Sequence, residues 1–212
     1  MSIKSILGAT AVAALAFAFV STPAVTAQEK AGKVYYFGSH TKHSNVSFTS
    51  EADIETIVGT TNTVGGQTWL DLKDGKGKAN ITIPVKNLKT GIATRDEHLR
   101  AENWLNEAKF PEIKFASADI QSTNDKKTKW KAKGKITIKG VTKDLTATVT
   151  VRAIPEKLWK KLGSGEWVRV KTKFDVKVSD FGVKIPDGVG PKVSDTWSIS
   201  FDCFATSTKP KK

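Results

Sequence analysis

Cysteine is almost absent from this 212-residue chain, which contains one, and histidine and arginine are scarce, with three and four residues. A single cysteine excludes an internal disulfide framework and a zinc site built from cysteines. The sequence also lacks a G-x-S-x-G nucleophile motif, a P-loop and a dinucleotide-binding glycine pattern. No catalytic class is indicated, and we expect the protein not to be an enzyme.

Acidic residues are also few: the chain has 21 Asp and Glu against 34 Lys and Arg, which gives a formal net charge of +13. Thirty of the cationic residues are lysine. Six tryptophans and a strong hydrophobic periodicity exclude a disordered composition. The length suits one domain with a short appendage.

The N-terminus carries the longest apolar run, the 15 residues Ile6–Val20, after a short start with one lysine. Small or short residues follow at Val25–Ala27, as at a signal-peptidase site. This pattern predicts a cleaved signal peptide at 1–27 and a single mature domain at 28–212. The alternative, a membrane anchor, needs about 20 apolar residues. Export predicts a periplasmic location, or secretion where there is no outer membrane.

Apolar and polar residues alternate in three long segments, 129–138, 145–153 and 168–178, with lysine or threonine at most polar positions. Such alternation is typical of half-buried strands. Shorter extended pieces are predicted at 33–37, 45–50, 54–61, 68–72, 79–86, 112–121 and 196–206. We expect an all-β fold, an extended antiparallel barrel of about eight strands whose closure removes unpaired edges. Its core covers about 34–206 and is followed by a short basic tail.

One main helix is predicted at about 95–109, where Thr94 and Glu97 have the spacing of a capping box. Leu99, Trp104 and Leu105 would form its buried stripe. Cys203 alternates in phase with Trp197, Ile199 and Phe201, which predicts a buried and unreactive thiol.

Three segments in order carry a family resemblance: Thr90–Arg100 (TGIATRDEHLR), Asn103–Phe115 (NWLNEAKFPEIKF) and Gly134–Leu145 (GKITIKGVTKDL). Together they resemble the YceI-like polyisoprenoid-binding family. The resemblance implies a lipocalin-like periplasmic barrel with an elongated apolar cavity for an amphiphile, such as a polyprenyl chain or an isoprenoid quinone. It implies no catalysis and no cofactor beyond a non-covalent ligand. Glu51–Ile54 departs from the family pattern, which puts in doubt any head-group contact at that corner.

The ligand-binding candidates are the large apolar side chains whose alternation places them inside the barrel: Phe48, Trp130, Ile136, Val149, Phe174, Val176, Trp197, Ile199 and Phe201. Small residues alternate with them, including Ala132, Gly134, Ala147, Ala153 and Ala205. This mixture fits a tunnel lined by aromatic rings, and it also fits a packed core.

Arg95, His98 and Arg100 are candidates for contact with a ligand head group, because a guanidinium suits a phosphate or a quinone oxygen. The alternative is local: with Asp96 they hold the helix against the barrel end or form surface salt bridges. His40 and His43 are spaced H-x-x-H without a third ligand, so no metal site is expected.

Leu158, Trp159 and Leu162 lie among lysines and could touch an anionic membrane. Alternatively, Trp159 packs over a barrel end. The leading functional interpretation is an exported carrier, store or stress-related sink for an isoprenoid-type lipid. The alternative is a basic periplasmic protein with a filled barrel, whose lysines bind acidic polymers or a partner protein. A nucleic-acid role is not indicated, since the lysines spread along strands and no recognition module is present.

Overall fold

The computed structural model describes residues 32–38 and 43–210, so the predicted signal peptide and His40 lie outside the described residues. The described residues form ten strands, β1–β10: Lys33–Phe37, Asn45–Glu51, Thr56–Thr61, Gly65–Asp71, Lys76–Pro84, Glu112–Ser122, Lys129–Ile138, Val141–Ala153, Trp167–Lys177 and Thr196–Thr206. They also form two α-helices, α1 (Ala93–Arg100) and α2 (Glu156–Leu162). Short 3-10 turns occur at Val85–Asn87, Val178–Phe181 and Asp187–Lys192.

The strands form one antiparallel sheet that closes into a barrel, which confirms the predicted fold. The ring runs β1-β4-β5-β6-β7-β8-β9-β10 and returns to β1, giving eight closed strands. Strands β2 and β3 add to the first half of β10, while Ala205 and Thr206 at its end pair with β1. Thr60 of β3 also forms an isolated bridge with Lys89. Among the described residues, no helix combines the length and the apolar character needed to cross a bilayer.

The alternation in β7, β8 and β9 predicts the two faces of the barrel wall correctly. Trp130, Ala132 and Ile136 are buried, while the lysines between them are exposed. Lys139 and Gly140 both have positive φ, as a two-residue hairpin between β7 and β8 requires. Ala153, at the end of β8, is exposed and not interior.

Helix α1 is shorter than the predicted 95–109 and begins differently. It covers Ala93–Arg100, its N-cap is Ile92, and no side chain caps it, so the predicted capping box is wrong. Ala101 is extended, and the chain continues in turns in which Asn106 adopts a positive φ of 51°. These turns bury Leu105. The apolar residues that were predicted to form one helical stripe are therefore divided: Leu99 lies in α1, and Leu105 lies in the turns that follow it.

Two apolar clusters fill the two ends of the barrel. We call the first the closed end: Tyr35, Phe37, Val46, Val64, Leu70, Ile120, Trp130, Ala132, Val151, Val168, Val170, Phe201, Cys203 and Ala205. We call the second the open end: Phe48, Ile57, Val85, Leu88, Leu99, Leu105, Ile136, Ile138, Val176, Val178, Phe181, Val183 and Trp197. Helix α2 precedes β9 at the closed end, and α1 packs through Leu99 at the open end.

Candidate ligand-binding cavity

An elongated cavity lies between the two clusters. Its volume, defined as the space that the centre of a water-sized sphere can occupy, is about 150 Å³. It extends from Phe37 and Ile120 at the closed end to Leu105 and Val178 at the open end. Eight of the nine predicted ligand-binding residues line it: Phe48, Ile136, Val149, Phe174, Val176, Trp197, Ile199 and Phe201. The barrel interior is therefore not completely filled by side chains.

Trp130 is the ninth candidate, and it does not line the cavity. Its side chain is 0% exposed, and its Nε1–H donates to the Lys127 carbonyl oxygen at 2.8 Å. Because Trp130 begins β7 at the closed end, its indole is part of the packed cluster that closes the barrel. The alternation placed Trp130 on the correct face of the strand. The alternation carries no information about the height of a residue along the barrel axis.

The sequence reasoning missed a wall of the cavity that comes from β5 and β6. Ile81, Ile83, Ile113, Phe115 and Ile120 line the cavity there. The register between these strands shifts between Gly77 and Ala79, and a second shift lies between Ala116 and Asp119 in the β6–β7 pairing. Ile81 and Ile83 keep the period of two, and so do Ile113 and Phe115. Only Ile120 lies beyond a bulge that moves the inward face to the other parity.

Three of the four polar residues on the cavity wall, Thr68, Lys114 and Thr172, have partners outside the cavity. The hydroxyls of Thr68 and Thr172 donate to the carbonyl oxygens of Lys78 and Thr148, each at 2.9 Å. The Lys114 ammonium lies 3.4 Å from a Glu112 carboxylate oxygen, and its side chain is exposed. The cavity therefore offers an apolar ligand dispersion contacts and a favourable transfer from water.

A second, more polar space opens beyond the cavity at the open end, and we call it the outer cleft. Its volume, measured in the same way, is about 450 Å³. Its walls come from α1, from the turn between β2 and β3, and from the segment that follows Pro186: Ser50, Glu55, Ile57, Thr90, Thr94, Arg95, His98, Leu99, Trp104, Pro186, Val189, Lys192 and Val193. Phe48 and Trp197 line both the cleft and the cavity.

Arg95 and His98, two of the three head-group candidates, line the outer cleft. The Arg95 guanidinium donates through Nη1 to the Glu55 carboxylate at 2.5 Å and through Nε to the Thr90 hydroxyl at 3.1 Å. Glu55 comes from the corner where the sequence departs from the family pattern. That corner thus supplies a carboxylate that holds Arg95 in the cleft wall.

Arg100 lies outside both spaces. Its Nε is 3.4 Å from a Glu107 carboxylate oxygen, and its Nη1 is buried with no hydrogen-bond partner among the described residues. Side chains point in different directions around a helix, so Arg95 and Arg100 separate although they are close in sequence.

Asp96 anchors α1 to the segment before it, as the local interpretation expected for this residue. The backbone N–H and the hydroxyl of Thr90 donate to Asp96 Oδ1 at 2.6 and 2.7 Å. Burial raises the pKa of the Asp96 carboxyl, but these hydrogen bonds, together with Lys89 and Arg100, outweigh burial and leave the pKa below its usual value.

A lysine joins two loops of the open end. The Lys139 ammonium donates to the carbonyl oxygens of Asn103 at 3.1 Å and Gly182 at 2.8 Å. Burial lowers the pKa of Lys139, with Glu102 opposing that change and Lys184 adding to it. The loop after α1 is thereby tied to the loop after β9.

The remaining candidates lie far from the cavity. Leu158 is 38% exposed, whereas Trp159 and Leu162 are half-buried, and the Trp159 Nε1–H donates to the Ile154 carbonyl oxygen at 2.7 Å. His43 packs edge-on against the Phe204 ring. No group of three His, Cys, Asp or Glu that could hold a metal is found within residues 32–38 and 43–210.

Cys203 is buried, as predicted. Its side chain is 0% exposed, and burial raises the thiol pKa to about 12. A thiol that stays protonated near neutral pH is a poor nucleophile.

The profile of the YceI-like domain family matches residues 38–205, most of the barrel described above. The chain belongs to the YceI-like family. A UPF0312 protein of Photorhabdus laumondii is 27% identical over 190 residues, covering 89% of this chain and 90% of that protein. Protein YceI of Salmonella newport is 28% identical over 184 residues, covering 85% of this chain and 87% of that protein.

Solved structures share the YceI-like barrel. BcnA of Burkholderia cenocepacia superposes with a TM-score of 0.64 at 25% identity, covering 77% of this chain and 96% of that one. A polyisoprenoid binding domain from Saccharophagus degradans, implicated in plant cell wall breakdown, gives a TM-score of 0.60 at 13% identity. That comparison covers 82% of this chain and 98% of the domain, and at this identity it shows the fold alone.

Proposed function

We propose that this protein is an exported lipid-binding protein that holds an isoprenoid-type amphiphile, such as a polyprenyl chain or an isoprenoid quinone, as a carrier, store or stress-related sink. The observation that carries the proposal is an apolar cavity closed at one end and bordered at the other by a polar cleft. An amphiphile has the same polarity profile. Membership of the YceI-like family and the structural likeness to a polyisoprenoid binding domain support this ligand class.

The cavity volume limits how the apolar chain can be held. A cavity of about 150 Å³ lined by aliphatic and aromatic side chains accepts a molecule of roughly the size of benzene. A longer chain therefore needs side chains to move, or it extends into the outer cleft. Each buried methylene contributes about 0.8 kcal/mol, which offsets such rearrangement as the chain lengthens.

The outer cleft is the proposed position of the head group. Arg95 supplies a guanidinium, and His98 and Lys192 add two further donors. Glu55 already neutralises part of the Arg95 charge, so the cleft suits a head group with modest negative charge or with carbonyl oxygens. Arg100 has no part in this contact because it lies outside the cleft.

Native mass spectrometry of protein purified without detergent tests the proposal. We expect a bound apolar lipid, and after delipidation we expect reloading with farnesol and with farnesyl pyrophosphate. Arg95→Ala removes a charge-assisted hydrogen bond to the pyrophosphate and should weaken its retention about tenfold, with a smaller effect on farnesol. Arg100→Ala is the matched control and should retain both ligands. Protein that carries no lipid and reloads neither probe would contradict the proposal.

The alternative function, a basic interaction protein with a filled barrel, has less support. The outward lysines are exposed, but Lys133, Lys135 and Lys171 each lie near an acidic side chain. The cavity also differs from the filled interior that the alternative assumed. The proposal retains a peripheral role for charge: the three lysines of α2 and the exposed Leu158 favour weak approach to an anionic membrane in the periplasm.

A further inference from the structure

Two stacked aromatic rings stand between the cavity and the outer cleft. Phe48 and Trp197 are the residues common to both linings, and their ring centroids are 4.4 Å apart with an interplanar angle of 14°. A chain that extends from the cleft into the cavity would therefore contact these rings.

Trp197 is the more firmly held of the two rings. Its Nε1–H donates to the Ser194 carbonyl oxygen at 3.0 Å, and its strand β10 pairs with β9 on one side and β2 on the other. Turning the indole would break this hydrogen bond, and an indole N–H buried without a partner is costly.

Phe48 is held less firmly. Its strand β2 also pairs on both sides, with β10 and β3, so the difference lies in the ring, which has no hydrogen-bonding group. Phe48 lies opposite Gly59 of β3. A Cβ atom added at Gly59 would come within 2.1 Å of the Phe48 ring, so the ring rests directly on the glycine backbone. Among the described residues, β3 pairs with no strand other than β2, and its further backbone pairing is the isolated Thr60–Lys89 bridge. Rotation of the Phe48 ring towards the outer cleft, which it already lines, would break no hydrogen bond.

We propose that Phe48 and Trp197 form a gate between two chambers, in which Phe48 is the moving ring and Trp197 the fixed one. The gate sets the rate at which an apolar chain enters and leaves the cavity. This inference rests on the proposed lipid-binding function for its ligand, but the existence of the gate can be measured without a lipid. At the closed end, Trp130 and its neighbours among the described residues form a packed cluster, so the proposed route is the one through the open end.

A thiol placed inside the cavity reports whether the gate opens. Ala147 lines the cavity but not the cleft, so Ala147→Cys in a Cys203→Ala background places a single thiol behind the rings. The rate of labelling by N-ethylmaleimide is compared with and without Phe48→Ala. A stacked aromatic pair contributes about 0.5–1.5 kcal/mol, so its removal should accelerate labelling roughly two- to tenfold.

Phe181→Ala is the matched control, because Phe181 belongs to the same open-end cluster as Phe48 but lines neither the cavity nor the outer cleft. It removes the same number of atoms and should leave the labelling rate unchanged. Phe48→Leu should give an intermediate rate and serves if Phe48→Ala does not fold. Unchanged labelling in the folded Phe48 variants, or equal acceleration by Phe181→Ala, would overturn the gate.

Binding of farnesol separates the gate from the proposed function. Phe48 also lines the cavity, so Phe48→Ala removes ligand contacts and raises the dissociation rate even without a gate. The gate is therefore tested by the association rate, which should rise in Phe48→Ala. If farnesol does not bind the wild type while Phe48→Ala still accelerates thiol labelling, the lipid-binding proposal fails and the gate stands. If farnesol binds and neither its association rate nor thiol labelling responds to Phe48→Ala, the gate fails alone.

Discussion

Both ends of the barrel contain tryptophans whose indole N–H groups donate to backbone carbonyl oxygens, but the surroundings of these rings differ. At the closed end, the indole N–H groups of Trp130 and Trp167 donate to the carbonyl oxygens of Lys127 and Gly163. At the open end, Trp197 donates to the Ser194 carbonyl oxygen. Trp130 and Trp167 are 0% and 1% exposed and are surrounded by packed side chains, whereas Trp197 has a cavity on one side and a cleft on the other.

The difference lies in what surrounds each ring. Close packing on all sides makes an indole part of a rigid plug, since interiors tolerate few voids. Empty space beside an anchored indole leaves a surface that a ligand can touch. At the open end, Arg95 and Glu55 line the outer cleft. At the closed end, the buried polar residues Asp71 and Thr206 are hydrogen-bonded to backbone groups. The closed end therefore serves stability, and the open end combines stability with access.

Replacement of the closed-end tryptophan should have the largest effect. Trp130→Ala leaves a large void in a packed cluster and should lower the free energy of unfolding by about 3–5 kcal/mol. Trp197→Ala should lower it less, because part of that ring already faces empty space. Urea denaturation of both variants provides the measurement. Equal losses of unfolding free energy in the two variants would mean that Trp130 and Trp197 are equally well packed, contrary to the difference between the two ends of the barrel.

Asp96→Asn should have the next largest effect and would sharpen the account of the open end. The substitution weakens the charge-assisted hydrogen bonds from Thr90, and we expect a loss of about 1–3 kcal/mol at pH 7. The folded-state pKa of Asp96 lies below its usual value, so its stabilisation is complete above the unfolded-state value of about 4. It is lost as the pH falls through the lowered folded-state pKa.

Urea denaturation from pH 7 to pH 2.5 tests this dependence. The stability difference between wild type and Asp96→Asn should stay constant down to about pH 5 and shrink below about pH 4. Thr94→Ala is a suitable control, because Thr94 is exposed and does not cap α1. A difference that is the same at every pH would exclude the carboxylate charge as its source.

The sequence predicted the closed barrel and part of the cavity wall, because regular strands repeat every two residues. Phe174 and Val176 in β9 follow this pattern and line the cavity as predicted. Ile81 and Phe115 keep the alternation of their strands, so the sequence contained the signal for them, whereas Ile120 lies beyond a bulge that shifts the alternation by one residue. The division of roles between Trp130 and Trp197 depends on height along the barrel, and the stacking of Phe48 on Trp197 depends on strand register. Neither can be derived from a single strand.

Substitutions at exposed positions of helix α2 should have the smallest effects on stability, because two of its three apolar side chains, Trp159 and Leu162, are half-buried against the protein. Leu158→Ser changes an exposed position and should alter stability by no more than about 0.5 kcal/mol. Lysines near a membrane surface contribute about 1 kcal/mol each. Replacement of Lys157, Lys160 and Lys161 by glutamine should therefore lower sedimentation with anionic vesicles far more than Leu158→Ser or Trp159→Ala.

The position of α2 determines what such membrane contact could achieve. Strand β9 runs from Trp167 beside α2 to Lys177 beside the open end, a length of roughly 35 Å. Contact through α2 would hold the outer cleft away from the bilayer, so it would tether the protein without assisting lipid entry. Anionic vesicles that bind through α2 should accordingly leave the rate of farnesol release unchanged. Faster release on vesicle binding would mean that the closed end takes part in ligand exchange.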